Sequence, residues 1–277
     1  MSPAFARAPF VAGLLLASLG AVLWAGAPAA AQELPDHAPF SRVLEPVVDP
    51  PLVDYARLQE DREALDGYLG TLASTPLAAV EGASREVQLA FWINAYNACM
   101  LRLVVDHYPI ETQGGFFDRI RNAVTDRPDN SVWQIDDVFT RDHCQVAGAP
   151  RSQDEIEHEI IRPMGEPRIH FAVNCAAQSC PPLRVEAYTA TELEAQLDDQ
   201  VRDFVANPAH FEVEDGSPPV LRLNKVLDWY GEDFGGAEGL KAFFEPYLDG
   251  ERRALVAEPE TRVRFFEYDW TLNDTGS

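Results

Sequence analysis

Basic side chains are scarce in this chain: 22 Lys and Arg face 45 Asp and Glu, for a formal net charge of −23 at pH 7. An excess of that sign repels phosphate backbones and anionic headgroups, which argues against nucleic acid and acidic lipid as partners. Long apolar runs are missing beyond the N-terminus, so no later stretch reads as a membrane span of the ~20 residues a helix needs. Cysteine is sparse, with four in 277 residues. Four are too few for a disulfide-built scaffold, and a hydrophobic core must hold the fold. C-x-x-C and H-E-x-x-H spacings do not occur, so a zinc site from His158, His170, Cys175 and Cys180 would have the ligand types without the usual pattern. No metal and no cofactor are expected. Repeats and low-complexity tracts are absent as well.

Turning to what is there, the N-terminus carries Arg7, an apolar run over residues 10–25 and the triplet Ala29-Ala30-Ala31. That order reads as a secretory signal ending at residue 31. The expectation is an exported protein, periplasmic or secreted, with no membrane insertion once the signal is removed. In such a compartment disulfides are open to the four cysteines, although Cys99, inside a predicted helix, reads as a buried inert thiol. Residues 32–52 are proline-rich without periodicity and read as a leader over the surface. A single domain is then expected over 53–277.

Hydrophobic spacing predicts a helix over 52–72 and a stronger one over 86–107, where Leu89, Trp92, Ile93, Tyr96, Met100, Leu103 and Val104 form one stripe. Tyr108-Pro109 ends it. The capping box Ser152-x-x-Glu155 opens a helix reaching residue 162, and Thr189-x-x-Glu192 opens another. A further helix is expected at 240–248. Short strands are expected at 132–139, 168–174, 211–213, 220–223 and 262–270, with a loop over 114–130. The fold class is α+β, with helices packed on a small antiparallel sheet.

The stretch 167–182, PRIHFAVNCAAQSCPP, carries the chemistry. Read as a strand, it puts His170 and Asn174 on one face and would put Cys175 on the other. His158 comes from a different element and escapes that parity. On its helix it lies one turn from Asp154 and one turn from Arg162, while Glu157 points about 100° away. A thiol needs a nearby imidazole or helix N-terminus to become a thiolate at neutral pH. Two readings therefore stay open for Cys175: a nucleophile with His158 as its base, or a disulfide with Cys180 stapling the turn. Asp154 or Glu157 would orient His158. Asn94, Asn97, His170, Asn174 and Arg162 are the candidate substrate contacts. Trp133, Trp229, Tyr230 and Trp270 read as core aromatics, one of which could wall a groove.

The runs AFWINAYNA (90–98), DEIEHEIIR (154–162) and RIHFAVNCAAQSCPPLR (168–184) resemble the domain of unknown function 547 family. LDWYGEDFG (227–235) and EYDWTLN (267–273) extend the resemblance. The family is similar, distantly, to papain-like and transglutaminase-like cysteine enzymes. The resemblance implies a core of that type, with Cys175 as the family's cysteine, His158 and Glu157 in its IEH block and Asn94 and Asn97 in its FWIN block. It implies a peptide, or a small-molecule thiol or amide, as ligand. The function expected is a cysteine-dependent amide or thioester hydrolase or acyltransferase. The alternative is a non-catalytic peptide- or thiol-binding domain with a Cys175–Cys180 bridge.

Overall fold

Helix α5, Arg85–His107, is the axis of the structure, a computed structural model that describes residues 34–111 and 127–276. Ser84 caps it by accepting a hydrogen bond from the Val87 amide, and Tyr108, held extended ahead of Pro109, ends it. The sequence predicts one apolar stripe, but residues 89–101 are buried without a break. No charged side chain interrupts that run, so the helix is wrapped by protein on all sides rather than lying on a surface.

The chain ahead of it differs from the expected leader. Residues 36–51 are not irregular: helix α1, Ala38–Leu44, buries Phe40, Val43 and Leu44. It is followed by the two-residue strands β1, Val48–Asp49, and β2, Leu52–Val53, paired antiparallel. The aromatic ring of Phe40 stacks on Tyr68 at 4.8 Å, which anchors this segment to the core. The single helix expected over 52–72 is two, α2 Tyr55–Glu60 and α3 Glu63–Ser74, broken at Asp61. Helix α4, Leu77–Glu81, leads into α5. The signal segment 1–31 and most of the 114–130 loop lie outside the described residues.

Beyond α5 the elements are short. The expected strand at 132–139 is a single 3-10 turn, Val132–Gln134, followed by further turns. Strands β3, Cys144–Val146, and β4, Ala149–Arg151, form a hairpin. Cys144 is disulfide-bonded to Cys99, so Cys99 is not the inert thiol expected of it; the bridge ties β3 to the middle of α5. The Ser152 hydroxyl then accepts from the Glu155 amide and starts a helix, as its capping pattern predicts. That helix, Glu155–Ile161, is wound as a π-helix with i→i+5 bonding.

Residues 168–174 are not a strand. Pro167–Phe171 is a 3-10 helix, with Pro167 in its first turn and the Glu166 carboxylate accepting from the Arg168 amide. Helix α6, Leu193–Ala206, follows at the expected place. Strands β5, Phe211–Glu214, and β6, Val220–Leu223, form the expected antiparallel hairpin, and β7, Arg262–Phe265, adds to β6 in parallel. The largest sheet is therefore mixed, while the two smaller ones are antiparallel. Helix α7, Val226–Trp229, precedes α8, Gly236–Phe244, which starts earlier than expected; α9, Gly250–Ala257, has no counterpart in the sequence reading.

Three apolar clusters hold this α+β unit. The largest surrounds α5 and takes in Ile169, Val173 and Ala176. The second joins α6, α8 and the mixed sheet, with Phe171, Phe204 and Phe244 among its members. The third is small: Ala177, Cys180, Val226 and Tyr268, with Cys175, Tyr230 and Trp270 packed against it. Residues 169–180 contribute to all three, so the cysteine turn sits where the clusters meet. Among the described residues no helix is long and apolar enough to cross a membrane.

Candidate functional site

Two asparagines inside α5 set the cysteine turn in place. A buried amide without partners costs on the order of 1–3 kcal/mol, so Asn94 and Asn97 must be bonded where they are. Asn97 donates to the Ala172 carbonyl at 2.9 Å and accepts from the Asn174 amide at 2.9 Å. Asn94 does the same with both backbone groups of Tyr188. Asn174 in turn accepts from the Ala176 amide and donates to the Pro181 carbonyl. These three residues clasp backbone, and none of them lines a cavity with Cys175.

Ala176 has φ +62°, a left-handed conformation that a Cβ disfavours. The Asn174 side chain and the Asn273 amide, which donates to the Ala176 carbonyl, hold it there. The C-terminal segment runs antiparallel beside the turn: Gln178 donates to Thr271 and Ser179 to Asp269, and Ala177 bridges Leu272. That pairing delivers Tyr268 to the thiol. Its hydroxyl lies 3.1 Å from Cys175 Sγ.

Cys175 and Cys180 are free thiols with their sulfurs 3.0 Å apart. Cys180 is buried and Cys175 half-buried. Hydrogen bonding from Cys180, then from the Tyr268 hydroxyl and the Ala177 amide, pulls the Cys175 pKa down, against burial and the nearby Glu157. Burial pushes the Cys180 thiol well up. Of the pair, Cys175 gives up its proton more readily and Cys180 holds its own.

Cys175 opens onto a cavity of about 300 Å³. His170, Asp154 and Glu157 line it together with an aromatic wall. Because 167–171 is helical rather than extended, the strand parity that would separate His170 from Cys175 does not operate. The His170 ring stacks on Tyr230 at 4.1 Å and 13°, and its Nε2 donates to Asp233 Oδ2 at 2.7 Å. Its Nδ1 is buried with no hydrogen-bond partner among the described residues. Burial lowers the His170 pKa to about 4, so the ring is neutral at pH 7 with a bare Nδ1. Two bonds from the Arg162 guanidinium, then that of His170, pull Asp233 down to about 2.

The π-helix splits its residues between two sides. Glu157 is buried, accepts from the Tyr230 and Tyr96 hydroxyls, and has its pKa raised by burial. His158, the expected base, is 37% exposed and is not among the cavity's lining residues. It meets Arg162 through Nδ1 at 3.1 Å, Asp154 at 3.9 Å and the Tyr230 ring at 5.9 Å. Asp154 is thus placed beside His158 as the helix spacing predicts, while Arg162 serves Asp233 rather than the cavity.

Sequence reasoning missed Asp233 and Tyr268, although both fall in blocks that carry the family resemblance. Trp133, Trp229, Tyr230 and Trp270, read as core, all line the cavity. Among the described residues no cluster of three His, Cys, Asp or Glu forms a metal site.

Residues 80–205 match the family described as "Protein of unknown function, DUF547". The matched stretch runs from the end of α4 through Glu157, His170 and Cys175 to α6; Asp233, Tyr268 and Trp270 lie beyond it. None of the curated proteins compared matches the chain, and no solved structure does.

Proposed function

We propose that the chain is an exported cysteine-dependent enzyme of acyl transfer, an amide or thioester hydrolase or acyltransferase with a papain-like or transglutaminase-like order of chemistry. One observation carries this reading: a free thiol of lowered pKa opens onto a cavity that also holds an Asp233-bound, neutral imidazole. The Cys175 sulfur attacks the acyl carbon of a peptide or small thioester, and the Ala177 and Tyr268 donors around the sulfur hold the thiolate until it attacks. Before that attack His170 takes the thiol proton on Nδ1, and it then returns it to the departing amine or thiol, leaving a thioester on Cys175. Water or an acceptor then attacks that thioester, and its proton passes through the same nitrogen. Asp233 fixes the tautomer that leaves Nδ1 free. The Cys99–Cys144 bridge supports an oxidising compartment and hence export.

The test is peptide-mapped alkylation against pH, followed by an amide and thioester screen. Cys175 should label well below the ~8.5 of a free thiol, and Cys175→Ser should abolish turnover without unfolding the chain. His170→Ala should remove the reactivity and His158→Ala should not; the reverse pattern overturns the base assignment. The proximity of Cys180 favours one second reading, a binding domain in which the two thiols oxidise to a bridge. It calls for a Cys175–Cys180 disulfide in the exported protein, no labelling, and ligand affinity without turnover.

A further inference from the structure

The chemistry of the cavity wall reaches further than the thiol. Aromatic side chains dominate its lining, among them Trp133, Phe139, Trp229, Tyr230, Tyr268 and Trp270. Trp229 and Trp270 stack at 20° and 5.6 Å, but other pairs are set at steep angles. Trp133 meets Trp270 at 71° and 5.1 Å, and Tyr268 meets Trp270 at 54° and 4.5 Å, so the rings stand at several different angles around the space. The charged residues among the described lining are Asp154 and Glu157, with no Lys or Arg beside them.

Among the described lining residues, the buried polar side-chain atom left without a partner is an acceptor, His170 Nδ1. Tyr96 and Tyr230 give their hydroxyl protons to Glu157, and the Tyr268 hydroxyl bonds the Cys175 sulfur. His170 Nε2–H is used on Asp233, which leaves Nδ1, wholly buried and unpartnered, asking for a donor. Aromatic faces attract cations through their quadrupole, and carboxylates add Coulomb attraction. Two wall rings already show it with the chain's own cations: Arg127 lies 4.6 Å over Trp133 and Arg162 lies 5.0 Å over Tyr230. A carboxylate ligand would face Asp154 and Glu157 with no Lys or Arg among the lining residues, and the net charge of −23 disfavours its approach.

We infer that this cavity binds an organic ammonium ion, its charge held between the aromatic faces and the Asp154 and Glu157 carboxyls. A volume of about 300 Å³ accommodates a lysine side chain or a choline-sized cation, the two sources of that chemistry. A lysine-type ammonium has N–H groups for His170 Nδ1; a quaternary ion has only its charge. The inference concerns the same cavity as the proposed enzyme, but binding itself needs no thiol chemistry.

The experiment therefore uses the full chain carrying Cys175→Ser, titrated by calorimetry and by quenching of tryptophan fluorescence. The probes are N-acetyl-lysine amide and its neutral analogue N-acetyl-norleucine amide, then choline and its neutral isostere 3,3-dimethylbutan-1-ol. The ammonium member of at least one pair should bind ~10-fold or more tighter than its neutral partner. Preference for the lysine compound identifies a peptide side chain as the source, and preference for choline a free quaternary ion. Trp229→Ala, at a ring already 45% exposed, and Asp154→Asn should each weaken the preferred cation several-fold while leaving the unfolding midpoint in place. Equal binding of charged and neutral partners in both pairs overturns the inference. Because Cys175→Ser removes turnover beforehand, that result leaves the enzymatic reading to its own assay.

Discussion

Three donors converge on one sulfur atom. Cys180 and the Ala177 amide are supplied by the turn that Cys175 opens, whereas Tyr268 arrives from 93 residues away along the C-terminal segment. A hydrogen bond to a charged group contributes roughly 1.5–3 kcal/mol, and one pKa unit corresponds to about 1.4 kcal/mol. Removing the Tyr268 hydroxyl should therefore raise the midpoint of Cys175 alkylation by about one pH unit. Tyr268→Phe keeps the ring against Trp229 and Trp270, so the change reports the hydroxyl alone. An unmoved midpoint would mean that Cys180 and the backbone suffice. Ala176 offers a second test at this scale, because its φ of +62° suits glycine better than alanine. Ala176→Gly should leave thermal stability within about 1 kcal/mol of the parent, whereas the β-branched Ala176→Val should lower it by well over that amount. A valine tolerated without loss would show that the turn relaxes out of the left-handed region.

At the scale of elements, α5 holds the site from behind. Asn97→Ala deletes both a donor and an acceptor from a buried place and leaves the Ala172 carbonyl and Asn174 amide unpaired. The expected loss in urea unfolding is about 2–4 kcal/mol. Loss below about 0.5 kcal/mol would mean that water replaces the amide. This clasp also explains what the sequence made legible and what it hid. The C-terminal boundary of α5 could be read from Pro109, because that signal is local. The 3-10 helix at 167–171 could not, since RIHFAVN alternates in polarity as a strand does, and five residues are too few to separate the periods. What decides its conformation is distant: Asn97 takes the Ala172 carbonyl and the Gln200 amide takes that of Phe171, so no strand partner is needed. The misread strand also misplaced the imidazole. Strand parity put His170 away from Cys175 and favoured His158, whereas helical winding brings His170 into the cavity. That Cys175 opens a turn was legible, because small residues followed by a double proline are a local feature.

On the scale of the whole molecule, burial of histidine couples stability to pH. His37, His170 and His210 each have their pKa lowered to about 4, in every case chiefly by burial. In the unfolded chain they titrate near 6.5. Between these values the unfolded state binds more protons than the folded one, so acidification favours unfolding. Their contribution is complete above pH 6.5 and is lost as pH falls toward 4, at up to about 1.4 kcal/mol per pH unit for each ring. Glu157 works the other way, since its raised pKa lets the folded chain take a proton early, but it is one group against three. Asp233, Glu166 and Asp198, held low chiefly by their bonds to basic and hydroxyl partners, extend the loss below the usual carboxylate range. Relief of repulsion among the excess acidic side chains opposes this trend, but most of it sets in only where ordinary carboxylates protonate, near pH 4. The urea midpoint should therefore be level above pH 6.5 and decline from there to pH 4.5. His210 isolates the cause, because it stacks on Phe204, bonds Asn224 and is not among the residues that line the thiol cavity. His210→Gln should lower the midpoint at neutral pH yet flatten its decline in acid by about a third. A midpoint that stays level or climbs on acidification would assign the acid response to charge repulsion instead of the buried imidazoles.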